Sequence, residues 1–305
     1  MTEPDAPARL EDADHPAEIS PRGWRELSWA AWRSGSRHEV PAKAAAAAFY
    51  AVLSFVPAMA AFGSAYGVFA SPDKLRHRLD AFAGLAPSGV LDLAFGIALR
   101  FARGEPERLV FATVLFAGFA IATASSSIRA LLSGLNTAYR QEEARSWLHR
   151  RLLSLAFAAL VAVALTAEVV LVIRTGAADD WSRHPALAAV ELAGRWILLV
   201  GLLVLILALL YRYGPDRRRA RWRWVTPGST VAALAALATS AGVSLYLTRI
   251  ARYEHTYGGI GALVGLMIWV WSVMVVVLAG AELNWAIECK TAADTASPHD
   301  QDEAD

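Results

Sequence analysis

The sequence predicts an all-α integral membrane protein with six transmembrane helices. Of its 305 residues, 56% are hydrophobic, and the mean hydropathy is +0.37, which is unusual for a soluble domain. Six apolar stretches are each long enough to cross a hydrocarbon core of ~30 Å as a helix. A soluble protein with six such stretches exposed would aggregate, so we assign the chain to the membrane class.

The six predicted spans are separated by polar or charged loops. They cover residues 44–70, 109–135, 152–173, 192–211, 225–248 and 258–287. Two runs inside them, 198–211 and 261–281, contain no charged side chain.

The two ends of the chain differ in composition from the middle. Residues 1–21 carry six acidic side chains against one arginine, and residues 291–305 carry five acidic side chains and no lysine or arginine. Acidic segments with few aromatic side chains bury too little apolar surface to fold. We therefore predict two disordered tails that flank one membrane domain, residues 22–290.

Arginines in the short loops predict the orientation. Loops 136–151 and 212–224 hold ten arginines, whereas the two short loops on the opposite side hold four. By the positive-inside rule the ten lie in the cytoplasm, and both termini then lie there too. The segment 71–108 must be external in this arrangement although it has six Lys and Arg residues; the rule weighs long segments less.

Two segments are amphipathic without being long enough to span. Residues 24–34 place Trp24, Leu27 and Ala31 at helical spacing, which predicts a helix in the cytoplasmic interface. Residues 72–103 contain two short stretches of the same kind, and we predict an external amphipathic helical hairpin after the first span.

The first span contains a serine and a proline. Pro57 lacks an amide donor, which frees a carbonyl near residue 53 and kinks the helix. In lipid that carbonyl must be satisfied by a neighbouring helix, by Ser54 or by water. Ser54 and Pro57 therefore predict either a packing kink or a hinge that lines a cleft.

Polar side chains inside or at the ends of the spans are further candidates, because charges in a membrane are costly and usually functional. They are Ser125, Ser126, Arg129, Asn136, Glu168, Glu282 and Asn284. Arg129 and Glu282 are predicted to form an ion pair at the cytoplasmic side, with Asn136 capping the second span. This group is either a structural clamp or a polar gate or headgroup site.

Four glycines lie at the start of the last span. Gly258 and Gly259 permit a tight turn, and Gly261 and Gly265 form a GxxxG pattern that favours close helix packing. The stretch lacks the lysine of a phosphate-binding GxxxxGK[ST] loop.

The loop after the fourth span is strongly basic, with Arg217, Arg218, Arg219, Arg221 and Arg223. Such clusters at a membrane face bind anionic lipid headgroups, and we expect that role rather than RNA binding.

The seven histidines are scattered, and the single cysteine excludes an internal disulfide and a multi-cysteine metal site. We expect no metal, cofactor or catalytic residue.

Four stretches resemble the YihY/BrkB family of inner-membrane proteins in order and spacing. They are KAAAAAFYAVLSFVPAM (43–59), SSSIRALLSGLNTAYR (125–140), LYRYGPDRR (210–218) and YGGIGALVGLMIWVWSVMVVVLAGAELN (257–284). The similarity extends over residues 24–288. It implies a six-helix, multi-pass protein of the bacterial cytoplasmic membrane, in a family discussed as transporters or envelope factors.

Family members have also carried a ribonuclease name, but a metal-dependent nuclease needs clustered histidines and carboxylates. We expect instead a mover of a lipid or another amphiphile. The alternative is a non-catalytic scaffold that binds partners through its basic loops and acidic tails. The expected partners are membrane lipids and a second copy or an envelope protein, without nucleic acid. A cavity lined by Ser54, Arg129 and Glu282 would favour transport, and a solid interior would favour the scaffold.

Overall fold

The computed structural model describes residues 20–69, 88–175, 185–217, 222–247 and 259–290. In these ranges the regular secondary structure is helical throughout. The helices are α1 (Pro21–Arg37), α2 (Val40–Phe69), α3 (Ser88–Phe101), α4 (Pro106–Ala138), α5 (Trp147–Thr175), α6 (Pro185–Tyr213), α7 (Trp222–Leu245) and α8 (Gly259–Lys290).

Six of these helices, α2 and α4 to α8, are long and apolar enough to cross a membrane. The predicted number and order of spans are thereby confirmed. The candidate spans are Val40–Val68, Pro106–Ala138, Trp147–Ala167, Trp196–Tyr213, Gly228–Leu245 and Gly261–Cys289. The side of the membrane that each loop occupies stays a prediction.

Some predictions fall outside the described residues. These are the disorder of both tails, the first part of the hairpin (72–87), Gly258, and Arg218, Arg219 and Arg221. The backbone of α5 includes Glu168 and that of α7 includes Arg223, but the described side chains do not include either.

Helix α1 forms where the amphipathic pattern predicts it. The side chain of Ser20 accepts a hydrogen bond from the backbone N–H of Gly23 and so caps the helix. The apolar stripe of α1 is buried against α8, where Leu27 packs with Ala286 and Ile287. The stripe therefore contacts protein, whereas Trp29 on the other face is exposed.

Helix α3 supplies the second part of the predicted hairpin and packs against α2 through small residues. A Cβ atom on Gly63 would collide with the backbone carbonyl of Ala98, and one on Gly67 would collide with that of Ala102. The two backbones are thus in direct contact over one helical turn, as in small-xxx-small crossings of membrane helices. The GxxxG pattern that creates this crossing is in the first span, not the last.

The largest hydrophobic core lies at one end of the bundle. We call it the arginine-rich end: it comprises the starts of α2, α5 and α7, the ends of α4, α6 and α8, and the short loops beside them. Leu135, Tyr211 and Leu278 are buried in this core. The hydroxyl of Tyr211 donates a 2.7 Å hydrogen bond to the carbonyl of Val277, which ties α6 to α8.

The α2–α3 crossing gives a stability prediction. Gly63→Ala forces a methyl group into the Ala98 carbonyl, and such overpacking costs about 1–3 kcal/mol. We expect a lower melting temperature in detergent. Gly96→Ala is the matched control, because nothing lies within 4 Å of a Cβ at Gly96 and alanine favours an exposed helix. An unchanged melting temperature for Gly63→Ala would contradict the direct backbone contact.

Candidate functional site

The last turns of α8 carry three polar side chains that are fully buried: Glu282, Asn284 and Glu288, each with 0% exposure. A buried carboxylate is very costly unless it is paired and hydrogen-bonded. The partners of these groups therefore define the polar part of the arginine-rich end.

Glu282 binds residues from two other parts of the chain. One carboxylate oxygen, Oε1, is 2.6 Å from Nδ1 of His38, and the other, Oε2, accepts a 2.7 Å hydrogen bond from the hydroxyl of Ser34. Arg140 Nη1 is 3.7 Å from Oε2, and Arg140 Nη2 donates to the Ser34 hydroxyl at 2.6 Å. We call these four residues the Glu282 cluster. An ionised carboxylate only accepts hydrogen bonds, so His38 donates from Nδ1.

The cluster forms because two chain reversals bring its members to α8. Glu39, between α1 and α2, and Arg140, after α4, both have φ near +53°, a left-handed conformation that ends a helix sharply. The guanidinium of Arg140 also lies 3.1 Å from the ring centroid of Trp285. Burial lowers the pKa of Arg140 and Glu282 opposes this effect. Because arginine stays protonated in proteins, the contact with Glu282 is ionic.

A second buried ion pair joins the α6–α7 loop to α8. Arg217 Nη1 donates to Glu288 Oε2 at 2.6 Å, Nη2 donates to the carbonyl of Tyr211 at 3.0 Å, and the guanidinium stacks on the ring of Tyr139. The Arg217 side chain is only 5% exposed. The prediction that Arg217 binds lipid headgroups is therefore wrong, because its charge is already neutralised inside the protein.

Asn136 connects two loops at the same end. Its side-chain amide donates to Glu143 Oε2 at 2.9 Å, and its side-chain oxygen accepts from the N–H of Asp216 at 2.9 Å. Arg145 completes this connection by donating to the carbonyl of Gly214 at 2.7 Å. The predicted cap of α4 is thus wrong in detail: the Asn136 side chain reaches into the following loops.

Asn284 occupies the contact between α7 and α8. A Cβ atom on Gly228 would collide with the Asn284 side chain. Glycine at 228 therefore allows the backbone of α7 to approach α8 closely at this level.

The serine run of α4 holds Arg129 and joins three helices. Ser127 donates to the Ala47 carbonyl of α2 at 2.8 Å, and the hydroxyls of Ser125 and Ser154 on α5 are 2.9 Å apart. Arg129 donates to Ser125 at 2.9 Å and to Ser126 at 2.8 Å.

The predicted Arg129–Glu282 ion pair is wrong. Among the described residues, the partners of Glu282 are Ser34, His38 and Arg140. The physical reason is length: α4 continues to Ala138, which places Arg129 roughly 14 Å before its end at 1.5 Å per residue. Arg140, and not Arg129, is the arginine that pairs with Glu282.

The hinge candidates lie in a helix that is continuous from Val40 to Phe69. Pro57 is buried and does not end α2. The hydroxyl of Ser54 donates to the carbonyl of Ala51 at 2.7 Å, and so it is not directed at the carbonyl near residue 53. Ser54, Arg129 and Glu282 each bind different residues, and the structure does not bring them together.

Of the glycines at the start of α8, Gly261 is buried. A Cβ at Gly265 would lie 3.2 Å from Leu247 Cδ1, so this glycine packs against a side chain rather than a helix backbone.

A family model described as virulence factor BrkB matches residues 31–304. The chain belongs to the virulence factor BrkB family. This confirms the resemblance found in the sequence. The ribonuclease-like protein YfkH of Bacillus subtilis is 27% identical over 256 residues, which cover 81% of this chain and 90% of that protein.

Several relatives of this BrkB-family protein are named only as membrane proteins. A UPF0761 membrane protein of Chromobacterium violaceum is 36% identical over 107 residues, 34% of this chain and 24% of that protein. A UPF0761 membrane protein of Idiomarina loihiensis is 25% identical over 181 residues, 58% of this chain and 61% of that protein. No solved structure matches the chain.

The sequence of this BrkB-family protein does not identify Ser34, His38 and Arg140 as the partners of Glu282, nor Glu288 as the partner of Arg217. One signal for them was present: Glu282 and Glu288 lie in the last turns of an apolar helix, where each needs a cation. The sequence could not choose among the nearby arginines, because the choice depends on where α4 and α6 end.

The Glu282 cluster gives a double-mutant prediction. Removing one partner of a buried pair leaves an uncompensated charge and costs roughly 3–5 kcal/mol in soluble proteins. His38→Ala and Glu282→Ala should each lower the melting temperature in detergent. The double variant should lose clearly less stability than the sum of the single losses, since the second substitution removes the orphaned group.

The matched control is the pair Arg129→Ala and Glu282→Ala. These residues share no partner, so their effects should add within about 0.5 kcal/mol. Additivity for His38 with Glu282, or strong coupling for Arg129 with Glu282, would contradict the observed pairing.

Proposed function

We propose that this BrkB-family protein moves a lipid or another amphiphile across the bacterial cytoplasmic membrane, with both termini in the cytoplasm. Arg129 carries the proposal. It is a partly exposed cation within a membrane span, and it is bound by two serines. No carboxylate in the described ranges lies within ion-pair distance of it. A charge in a span usually marks the path of a substrate or ion.

The buried ion pairs at the arginine-rich end support a gating role in this proposal. The Glu282 cluster attaches α1 to α8, and the Arg217–Glu288 pair attaches the α6–α7 loop to α8. Buried ion pairs add little net stability compared with apolar packing, so a role beyond stability is open to them. We propose that these contacts hold the cytoplasmic side closed.

We propose no ribonuclease activity for this chain. The name of the Bacillus subtilis relative describes that protein, and the seven histidines here are dispersed along the sequence. A nuclease needs histidines and carboxylates close together to hold cations and activate water.

The second candidate is a non-catalytic scaffold that binds a second copy or an envelope protein through its basic loops and acidic tails. One observation favours it: Ser54, Arg129 and Glu282 each hydrogen-bond to different residues, and no hydrogen bond among the described residues joins any two of the three. Neither candidate requires nucleic acid, and both include contacts with membrane lipids.

Topology underlies both candidates and can be measured by cysteine labelling. In a Cys289→Ser background, Ser88→Cys should react with a membrane-impermeant maleimide on intact cells, because 71–108 is predicted to be external. Arg218→Cys should react only after permeabilisation. Labelling of residue 218 but not of residue 88 on intact cells would show that the topology is the reverse of the predicted one.

The two candidates differ in what they expect of α2. Pro57→Ala restores an amide donor, so the protein should be at least as stable, yet a hinge there would be lost. Ser54→Leu would fill a cleft beside it. If the protein moves lipid, both variants should fold normally and lose most of their scrambling of fluorescent phospholipid in liposomes.

Val56→Ala is the matched control for this experiment. Val56 is 46% exposed and lies between the two test positions, so its variant should keep full activity. If Pro57→Ala and Ser54→Leu are well folded and scramble lipid as the wild type does, the hinge and cleft are excluded and the scaffold is favoured.

A further inference from the structure

A pair of arginines lies beside the contact between α4 and α5. The hydroxyls of Ser125 and Ser154 meet at 2.9 Å, and Ser154 also donates to the carbonyl of Arg151 at 2.9 Å. Arg129 follows Ser125 by four residues, and Arg151 precedes Ser154 by three. Because the short loop between the helices makes them antiparallel, both arginines lie about one turn from this contact, toward the arginine-rich end.

Both arginines therefore lie at the same level of two adjacent helices, and both side chains are positively charged. Arg129 uses two N–H groups for Ser125 and Ser126, and a guanidinium has five in all. In the part of the chain that the structure describes, no carboxylate forms an ion pair with Arg129 or Arg151. Two like charges at the same level of a membrane span repel each other, and an anion between or beside them stabilises both.

Apolar side chains near these arginines are exposed on the surface of the spans. On α5, Leu148 is 57% exposed and Leu152 is 58% exposed. On α2, Leu53 is 44% exposed and Tyr50 is 39% exposed; Tyr50 follows Ala47, whose carbonyl binds Ser127, by three residues. Arg129 and Arg151 are themselves partly exposed, and exposed leucines on a membrane span contact hydrocarbon, so both arginines are within reach of lipid as well as of water.

We propose that Arg129 and Arg151 bind the phosphate group of an anionic phospholipid whose acyl chains lie against the exposed side chains of α2 and α5. Arginine suits this role because its planar fork donates two parallel hydrogen bonds to phosphate oxygens. The inference rests on the proposed function, since it names the headgroup chemistry of the lipid that is moved. It assigns Arg151 a role that the sequence pattern of loop 136–151 did not indicate.

Binding can be measured with the full chain purified in a neutral detergent. The probe is dioctanoyl phosphatidylglycerol, titrated by calorimetry, with uncharged dioctanoylglycerol as the comparison. The wild type should bind the phospholipid and not the uncharged lipid. Arg129→Gln and Arg151→Gln should each weaken binding by about tenfold or more, as expected when a hydrogen bond to a charged group is lost.

Arg150→Gln is the matched control. Arg150 is adjacent in sequence, carries the same charge and is exposed, so its variant should bind as tightly as the wild type. Equal weakening by Arg150→Gln would show a general charge effect and would overturn the site.

The Arg151→Gln variant keeps the binding test decisive even if Arg129→Gln fails to fold. The side chain of Arg151 makes no hydrogen bond or ion pair with another described residue, whereas Arg129 binds two serines. An Arg151→Gln protein with a normal melting temperature and wild-type phospholipid affinity would overturn the proposal, whatever Arg129→Gln does.

Three further results separate the possible ligands and functions. If inorganic phosphate displaces the phospholipid at equal concentration, the ligand is a free anion and the lipid assignment fails. If the phospholipid binds as expected but the wild type does not scramble lipid in liposomes, the transport proposal fails and the binding site stands. If the wild type scrambles lipid and both variants bind it normally, the site fails and transport stands.

Discussion

The arrangement of the arginine-rich end depends on the burial of one carboxylate, that of Glu282. A fully buried charge must be neutralised where it lies, and the last span therefore needs cations and donors from elsewhere in the chain. Ser34 and His38 supply them at the end of α1, and Arg140 supplies them after α4. The amphipathic first helix is consequently fixed to the last span, although Ser34 and Glu282 are 248 residues apart in the sequence.

The two ends of the bundle are held by different forces. At the arginine-rich end, the Arg217–Glu288 pair and the hydrogen bonds of Asn136 fix the loops upon a large apolar core. At the level of α3, the contact with α2 consists of Gly63 and Gly67 against a helix backbone. Both kinds of contact are costly to lose, because a broken buried ion pair leaves an uncompensated charge and a small-residue crossing depends on close backbone packing.

The polar residues in the middle of the bundle fall into two groups. Ser127 and Ser125 join α4 to its neighbours, which is a structural role. Arg129 is held by serines of its own helix and faces no carboxylate among the described residues. Among the described residues no carboxylate compensates this cation, and the anion that we propose for it is a lipid phosphate, which is abundant at a membrane surface.

The six spans could be predicted from the sequence, because a run of apolar residues long enough to cross the bilayer has no other stable structure. The amphipathic first helix and the family could be predicted as well, from helical spacing and from four short motifs. The sequence also indicated that Glu282 and Arg129 require partners, but the identity of those partners depends on the tertiary structure. Because α4 ends at Ala138, Arg140 and not Arg129 pairs with Glu282. The α6–α7 loop places the side chain of Arg217 inside the protein, where it pairs with Glu288. Hydropathy is summed over a whole span, so it can be read from the sequence. Charge pairing depends on distances of a few ångströms between side chains, so it cannot be read from the sequence.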